Sequence, residues 1–258
     1  MKKYLLAAAA MVMVSGAASA QSVNLVKNGG FESTSLTESH QFKDNQVTDW
    51  TNAATNGYTG YGYNFLLKPN TADTTGFKSL AGNLDYLYGP GAGAAAANFA
   101  DNGFTGTSPA GGNFLLADGD TNFHGAVSQV ISGLTVGQLY SVTFDWAGAS
   151  WYTYAGNTTE RWDVSLGGTT KSTDTVKLGP KGFSGWQKGS LQFTATGASQ
   201  TLSFLAQGTP NGLPPSLLLD NVQMAAVPEP ATWLTMILGF GVVGAAMRRR
   251  KVARPQLV

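Results

Sequence analysis

The sequence predicts an all-β protein: an antiparallel β-sandwich of about 200 residues between two processing segments. Three observations lead there. Apolar and polar residues alternate over many short runs, the two-residue period of a half-buried strand. Turn-forming glycines separate those runs, and the chain holds 33 of them. The middle of the chain has no long run at the 3.6-residue spacing of an amphipathic helix.

Taken in order, the chain opens with a signal peptide. Lys2 and Lys3 form a basic start, the stretch from Tyr4 to Val14 is apolar, and Ala18-Ser19-Ala20 ends in an A-x-A cleavage pattern. Cleavage there makes Gln21 the first mature residue. The region from Asn52 to Gly112 is irregular, and Gly89-Pro90-Gly91-Ala92-Gly93 followed by Ala94 to Ala97 reads as a long surface loop. Strands are expected at Phe114–Ala117 and Val127–Ile131. At Tyr140, Val142, Phe144 and Trp146, the intervening Ser141, Thr143 and Asp145 mark the solvent face. Trp162, Val164 and Leu166 repeat this pattern, as do Leu191 and Phe193, then Leu202, Phe204 and Ala206, and a last strand runs from Leu217 to Met224. Gly133 to Gly137, Gly167-Gly168 and Gly197-Ala198 supply the turns. No internal repeat is present, which argues against a solenoid or propeller.

At the far end, Val227-Pro228-Glu229-Pro230 precedes an apolar run from Ala231 to Met247 and then Arg248-Arg249-Arg250-Lys251. A run of this length is expected to form one transmembrane helix, with the basic cluster holding the C-terminus in the cytoplasm. The expected organisation is residues 1–20 as signal, 21–226 as the β-sandwich domain and 227–258 as the C-terminal segment.

Composition narrows the chemistry. There are no cysteines, so disulfides and thiol chemistry are excluded, and only His40 and His124 are present, too few for a histidine-rich metal site. Charged residues make up 12% and the net charge is +1, with positive charges gathered at the termini. The middle lacks the basic surface that nucleic-acid binding requires.

Pro228-Glu229-Pro230, Trp233, the apolar run and Arg248-Arg249-Arg250 together resemble the PEP-CTERM sorting signal of Gram-negative bacteria, in its PEPxxWA-like form. Leu234 stands where that form has Ala. The resemblance implies an exosortase-type membrane protease as partner and export across the inner membrane. It further implies a cell-surface or extracellular location after processing, with membrane anchoring by the helix beforehand.

A second resemblance spans most of the mature chain. Asn24 to Glu32, with its Asn28-Gly29-Gly30-Phe31-Glu32 core, opens it. Val127 to Tyr140 lies in the middle, and Leu218-Leu219-Asp220-Asn221-Val222 closes it. This order resembles galactose-binding-like jelly rolls and carbohydrate-binding modules, and implies an antiparallel jelly-roll sandwich. In such modules the carboxylates matching Glu32 and Asp220 hold a structural calcium ion, which favours hard oxygen ligands. The other reading is that both satisfy backbone donors at strand ends.

Sugar rings stack on exposed aromatic faces. Trp151, Tyr152 and Tyr154, in a loop after the strand at Tyr140–Trp146, are the expected glycan contacts, because exposed aromatics are costly without a ligand. Trp146, Trp162 and Trp186 are expected in the core. Asp118-Gly119-Asp120 reads as a turn, since it lacks the later ligands of a calcium loop. His124 has no G-x-S-x-G elbow to serve, and no catalytic residue is assigned. The resulting expectation is an exported surface or matrix protein with a non-catalytic carbohydrate-interacting module, possible structural calcium and no nucleic-acid partner. The alternatives are a purely structural matrix protein and a polysaccharide-degrading enzyme.

Overall fold

A computed structural model describes residues 23–54, 62–69, 87–89, 102–151, 154, 156–228, 237–241, 244–245 and 248. The expected signal peptide, the Gly89–Ala97 loop beyond Gly89, Tyr152, and the sorting residues Glu229, Pro230, Trp233, Arg249 and Arg250 lie outside them. The described strands are β1 (His40–Gln41), β2 (Thr51–Ala54), β3 (Asn64–Leu67), β4 (Phe114–Asp118), β5 (Gly125–Ser132) and β6 (Leu139–Ser150). They continue with β7 (Thr158–Leu166), β8 (Thr169–Ser172), β9 (Val176–Leu178), β10 (Gln187–Thr194), β11 (Ser199–Thr209) and β12 (Pro215–Ala226).

Two antiparallel sheets result. The first has the order β1-β3-β4-β12-β6-β10, and the second β2-β5-β11-β7-β8, with β9 also pairing β7. From β4 onward the chain crosses repeatedly between sheets, the jelly-roll-like pattern expected. Every strand expected from alternation is present.

The main core lies between the sheets. Trp162 is fully buried on β7 and reaches across, its Nε1–H donating to Leu218 O at 3.2 Å. Phe204 stands edge-on to Trp162 at 6.0 Å and to Phe144 at 5.1 Å. Opposite Phe144 in register is Gly189, where a Cβ would come within 2.4 Å of the Phe144 ring. Trp146 is buried in this core too.

The outer face of the first sheet was expected to meet solvent, and over part of its area it does not. Phe65, Leu67, Phe114, Leu116, Ala147, Ala149 and Leu218 form a second buried cluster there, covered by Leu87, Phe104 and Trp151. Strands β3 and β4 are therefore buried at every position, which removes their alternation. The outer face of the second sheet carries a row of hydroxyl residues set by register: Thr51, Ser128, Ser203, Ser165 and Thr170, one per strand.

A buried amide network joins the sheets near β2. Asn52 Nδ2 donates to Phe42 O and Gly62 O, while its Oδ1 accepts from Gly62 N–H and Asn64 Nδ2. Replacing Asn52 by Ala leaves those groups unpaired away from water, so it is expected to cost about 2–4 kcal/mol in urea unfolding.

Among the described residues the expected transmembrane helix over 231–247 is not found. Among the described residues no helix is long and apolar enough to cross a membrane. Helical residues are described only at 237–241, 244–245 and 248. Gly239, Gly241 and Gly244 fall within this stretch, and each weakens a helix by about 1 kcal/mol relative to Ala. The run was already at the short end for a span. The expectation of a helix-anchored precursor with a cytoplasmic C-terminus rested on that helix and is corrected with it.

Candidate functional site

Beyond the edge of the second cluster, the outer face of β6, β10 and β12 opens into a polar groove of about 350 Å³. It is lined by Thr143 and Asp145 from β6, Lys188 and Ser190 from β10, and Asn221 and Gln223 from β12, over a floor at Phe144 and Gly189. Strand alternation explains the composition: the neighbours of these residues along each strand point into the core.

A register shift between Asp220 and Gln223 shapes the groove. Asp220 pairs with Asp145, but Gln223 pairs with Thr143, so β12 carries an extra residue there. Asn221 adopts a φ of +51°, in the left-handed region that Asn tolerates. Its Nδ2 donates to Asp145 Oδ2 at 3.0 Å, and its Oδ1 accepts from Gln223 Nε2 at 2.8 Å. Lys188 Nζ pairs with Asp145 Oδ1 at 2.9 Å, with the lysine side chain 83% exposed and the aspartate 4%. The groove thus offers hydroxyls, amides and one ammonium, and its single carboxylate is already occupied.

Asp220 sits beneath this surface. Its carboxylate accepts from the Ser108 hydroxyl and from Asn221 N–H. Burial pushes its pKa up to about 7, opposed by those two hydrogen bonds and assisted by the charges of Glu32 and Asp145. Glu32 lies in the loop before β1, not in a first strand as expected, and its Oε1 accepts from Asn113 N–H at 2.7 Å. Gly112, at φ +70°, leaves room for that carboxylate.

The expected calcium pair is therefore brought together: a Cβ on Gly30 would stand 3.8 Å from Asp220 Oδ1 and 4.0 Å from Glu32 Cγ. Both carboxylates already accept hydrogen bonds from the protein. Calcium takes six to eight oxygens, yet both oxygens of Asp220 and one of Glu32 face protein donors. Among the described residues no three acidic or histidine side chains are placed to share a metal ion. The geometry is that of carboxylates satisfying nearby N–H and O–H groups.

Of the three expected glycan contacts, Trp151 and Tyr154 are described and Tyr152 lies outside the described residues. Trp151 is 4% exposed, edge-on to Phe65 at 5.6 Å and bridged to Leu87, so it offers no face to a sugar. Its apolar cover is the physical reason. Tyr154 is 43% exposed, follows the end of β6 and is not among the residues that line the groove. Trp186, expected in the core, is half-buried just before β10, its Nε1–H bonded to Thr107 O and its ring edge-on to Phe114. Asp118 and Asp120 accept from Asp120 N–H and Asn122 N–H, as a turn requires. His124 Nδ1 donates to Ala206 O at 3.1 Å. The groove residues were visible only as solvent-facing positions such as Thr143 and Asp145. Nothing in the sequence joins them to Lys188, Asn221 and Gln223, because register does that.

Comparison with known proteins bears on the two parts separately. The PEP-CTERM protein-sorting motif matches residues 226–251, and a protein family of unknown function, DUF642, matches residues 110–225. No curated protein matches the chain. Among solved structures, the chain is similar to TmCBM61 in complex with β-1,4-galactotriose. That match has 15% identity and a TM-score of 0.37, covering 80% of this chain and 100% of the other. A CBM4 structure matches at 14% identity and a TM-score of 0.35, covering 78% and 99%. An arabinose-bound MgGH51 α-L-arabinofuranosidase matches at 11% identity and a TM-score of 0.40, over 79% of this chain but 26% of the enzyme. The motif implies export and handling by an exosortase-type system. The chain carries a PEP-CTERM protein-sorting motif behind an antiparallel β-sandwich.

Proposed function

We propose that the sandwich is a non-catalytic module that contacts polysaccharide at the cell surface or in the extracellular matrix, through the groove on β6, β10 and β12. The observation that carries this reading is the lining: Thr143, Lys188, Ser190, Asn221 and Gln223 offer donors and acceptors around one neutralised carboxylate. Hydroxyl-rich chains bind through such sets of donors and acceptors. In affinity electrophoresis of the full chain on exopolysaccharides, the double variant S190A/Q223A, at two exposed lining positions, is expected to lower retention at least about tenfold, with unfolding little changed. Tyr154→Ala, outside the groove, leaves retention unchanged. Loss of retention in Tyr154→Ala alone would move the site to the loop. No retention of the wild type on any glycan would leave a structural matrix role.

One observation favours polysaccharide hydrolysis as a second reading. Asp220, its pKa pushed up to about 7, lies directly across from Asp145, and glycosidases work with a pair of carboxyl groups. Asp220 is fully buried beneath Ser108, so substrate reaches it only if the 102–113 segment moves. Release of reducing ends that disappears in Asp145→Asn would establish that reading against the first.

A further inference from the structure

Glu160 lies on the inward face of β7 with no exposed surface, and neither carboxylate oxygen has a hydrogen-bond partner. The same is true of Thr158 Oγ1, two residues earlier on that face, and of Ser150 Oγ, each in a residue less than 9% exposed. These side chains belong to one region. A Cβ built on Gly148 would stand 3.4 Å from Glu160 Oε2, which places the carboxylate against β6, and Ser150 is the next inward position along that strand. The Thr158 hydroxyl is near enough to lower the Glu160 pKa, yet it falls short of hydrogen-bond geometry. The carboxylate and the two hydroxyls thus occupy inward positions of β7 and β6 at this end of the sandwich, none with a hydrogen-bond partner. Native interiors rarely leave such groups unpaired, and an ion or water is the usual explanation.

Among the described residues none supplies a countercharge there. Val176 Cγ2 and Leu178 Cδ1 of β9 wall the site, and Gly208 faces Glu160 in register. Arg161 and Asp163 pair with each other on the opposite face of β7, and Lys177 pairs with Thr159 on the exposed side. A lone buried carboxylate is among the most costly groups to leave charged. The oxygens of Glu160, Thr158 and Ser150 are all lone-pair donors, hard ligands suited to an alkali or alkaline-earth cation. One carboxylate balances one positive charge, whereas a divalent ion would leave net charge buried.

We propose that Glu160, Thr158 and Ser150 form a buried site for a monovalent cation of the sodium type, which locks the sheets together at the end of the sandwich next to the 151–157 connection. The ion competes with a proton for Glu160, whose pKa is otherwise pushed up to about 7 by burial, so the site fills above that pH.

The test is thermal unfolding of the full chain at pH 8.5 and constant ionic strength, in sodium chloride or in choline chloride, whose cation is too large to enter. Sodium is expected to raise Tm by about 5 °C over choline. The isosteric Glu160→Gln should abolish that difference, while Asp220→Asn keeps it. Sodium-23 relaxation should show exchange broadening with the wild type and lose it in Glu160→Gln. Equal Tm values for the wild type in the two salts would overturn the proposal, and that arm needs no variant to fold. Glu160→Gln that is more stable than the wild type in both salts alike would also overturn it, because a proton would then satisfy Glu160.

Discussion

In choline chloride, the chain should lose stability steadily as pH rises from about 4 to about 7 and level off above that. Two groups set the window. Glu160 is raised from 4.5 to about 7 and Asp220 from 3.8 to about 7, both chiefly by burial. A carboxyl group with a raised folded-state pKa holds its proton in the folded chain after the unfolded chain has lost it. Its contribution is therefore complete below the unfolded pKa and disappears as pH passes the folded one. Both residues are fully buried, so each is worth on the order of 3 kcal/mol across the window. Urea unfolding at half-unit pH steps measures the sum. Glu160→Gln and Asp220→Asn should each flatten about half of the slope, and the amide at 220 can still accept from the Ser108 hydroxyl and Asn221 N–H. Stability that rises between pH 4 and 7 in choline would mean that both carboxylates are ionised and paired in the folded chain.

Trp162→Ala should be the most damaging single truncation, at about 3–5 kcal/mol. The side chain is fully buried, stacks edge-on with Phe204, and carries the hydrogen bond to Leu218 O that crosses from one sheet to the other. Removing it opens a cavity at the centre of the main core and leaves that carbonyl short of a donor. Trp162→Phe keeps the ring contact and loses only the bond and some volume, so about 1–2 kcal/mol is expected. Urea midpoints of the two variants, with unchanged slope, give both values. A loss below about 1 kcal/mol for the alanine variant would mean that the two sheets do not depend on each other at this position.

Strands with one wet face were legible in the sequence. Tyr140 to Trp146 and Trp162 to Leu166 write the alternation out in full, and both are strands. Asn64-Phe65-Leu66-Leu67 was missed because β3 is buried on both faces and has no polar beat to read. The four residues of β8 are all exposed, which erases the signal from the other side. Trp151 illustrates a further limit. The reasoning that a loop aromatic needs a ligand holds only if the loop is open, and Leu87 and Phe65, distant in sequence, close over it. Glu32 and Asp220 were correctly expected to meet, since their motifs mark the two ends of the domain. The groove and the Glu160 pocket were not legible, because both depend on which residues stand opposite one another. The hydroxyl row across the second sheet makes the same point: no repeat in the sequence announces it, and strand register alone aligns it.

The sorting tail leaves the domain directly from β12, which lies between β4 and β6 in the interior of its sheet. The start of the domain is fastened to that same strand, with Leu25 N–H donating to Met224 O and Val222 N–H to Gly29 O. A pull on the chain after Ala226 therefore acts along β12 and across two ladders at once. The hydrogen bonds lie perpendicular to that pull and share the load in shear, where an edge strand would peel away one bond at a time. A domain attached in this way meets a pull on its tail with two strand ladders and its own N-terminal segment loaded together.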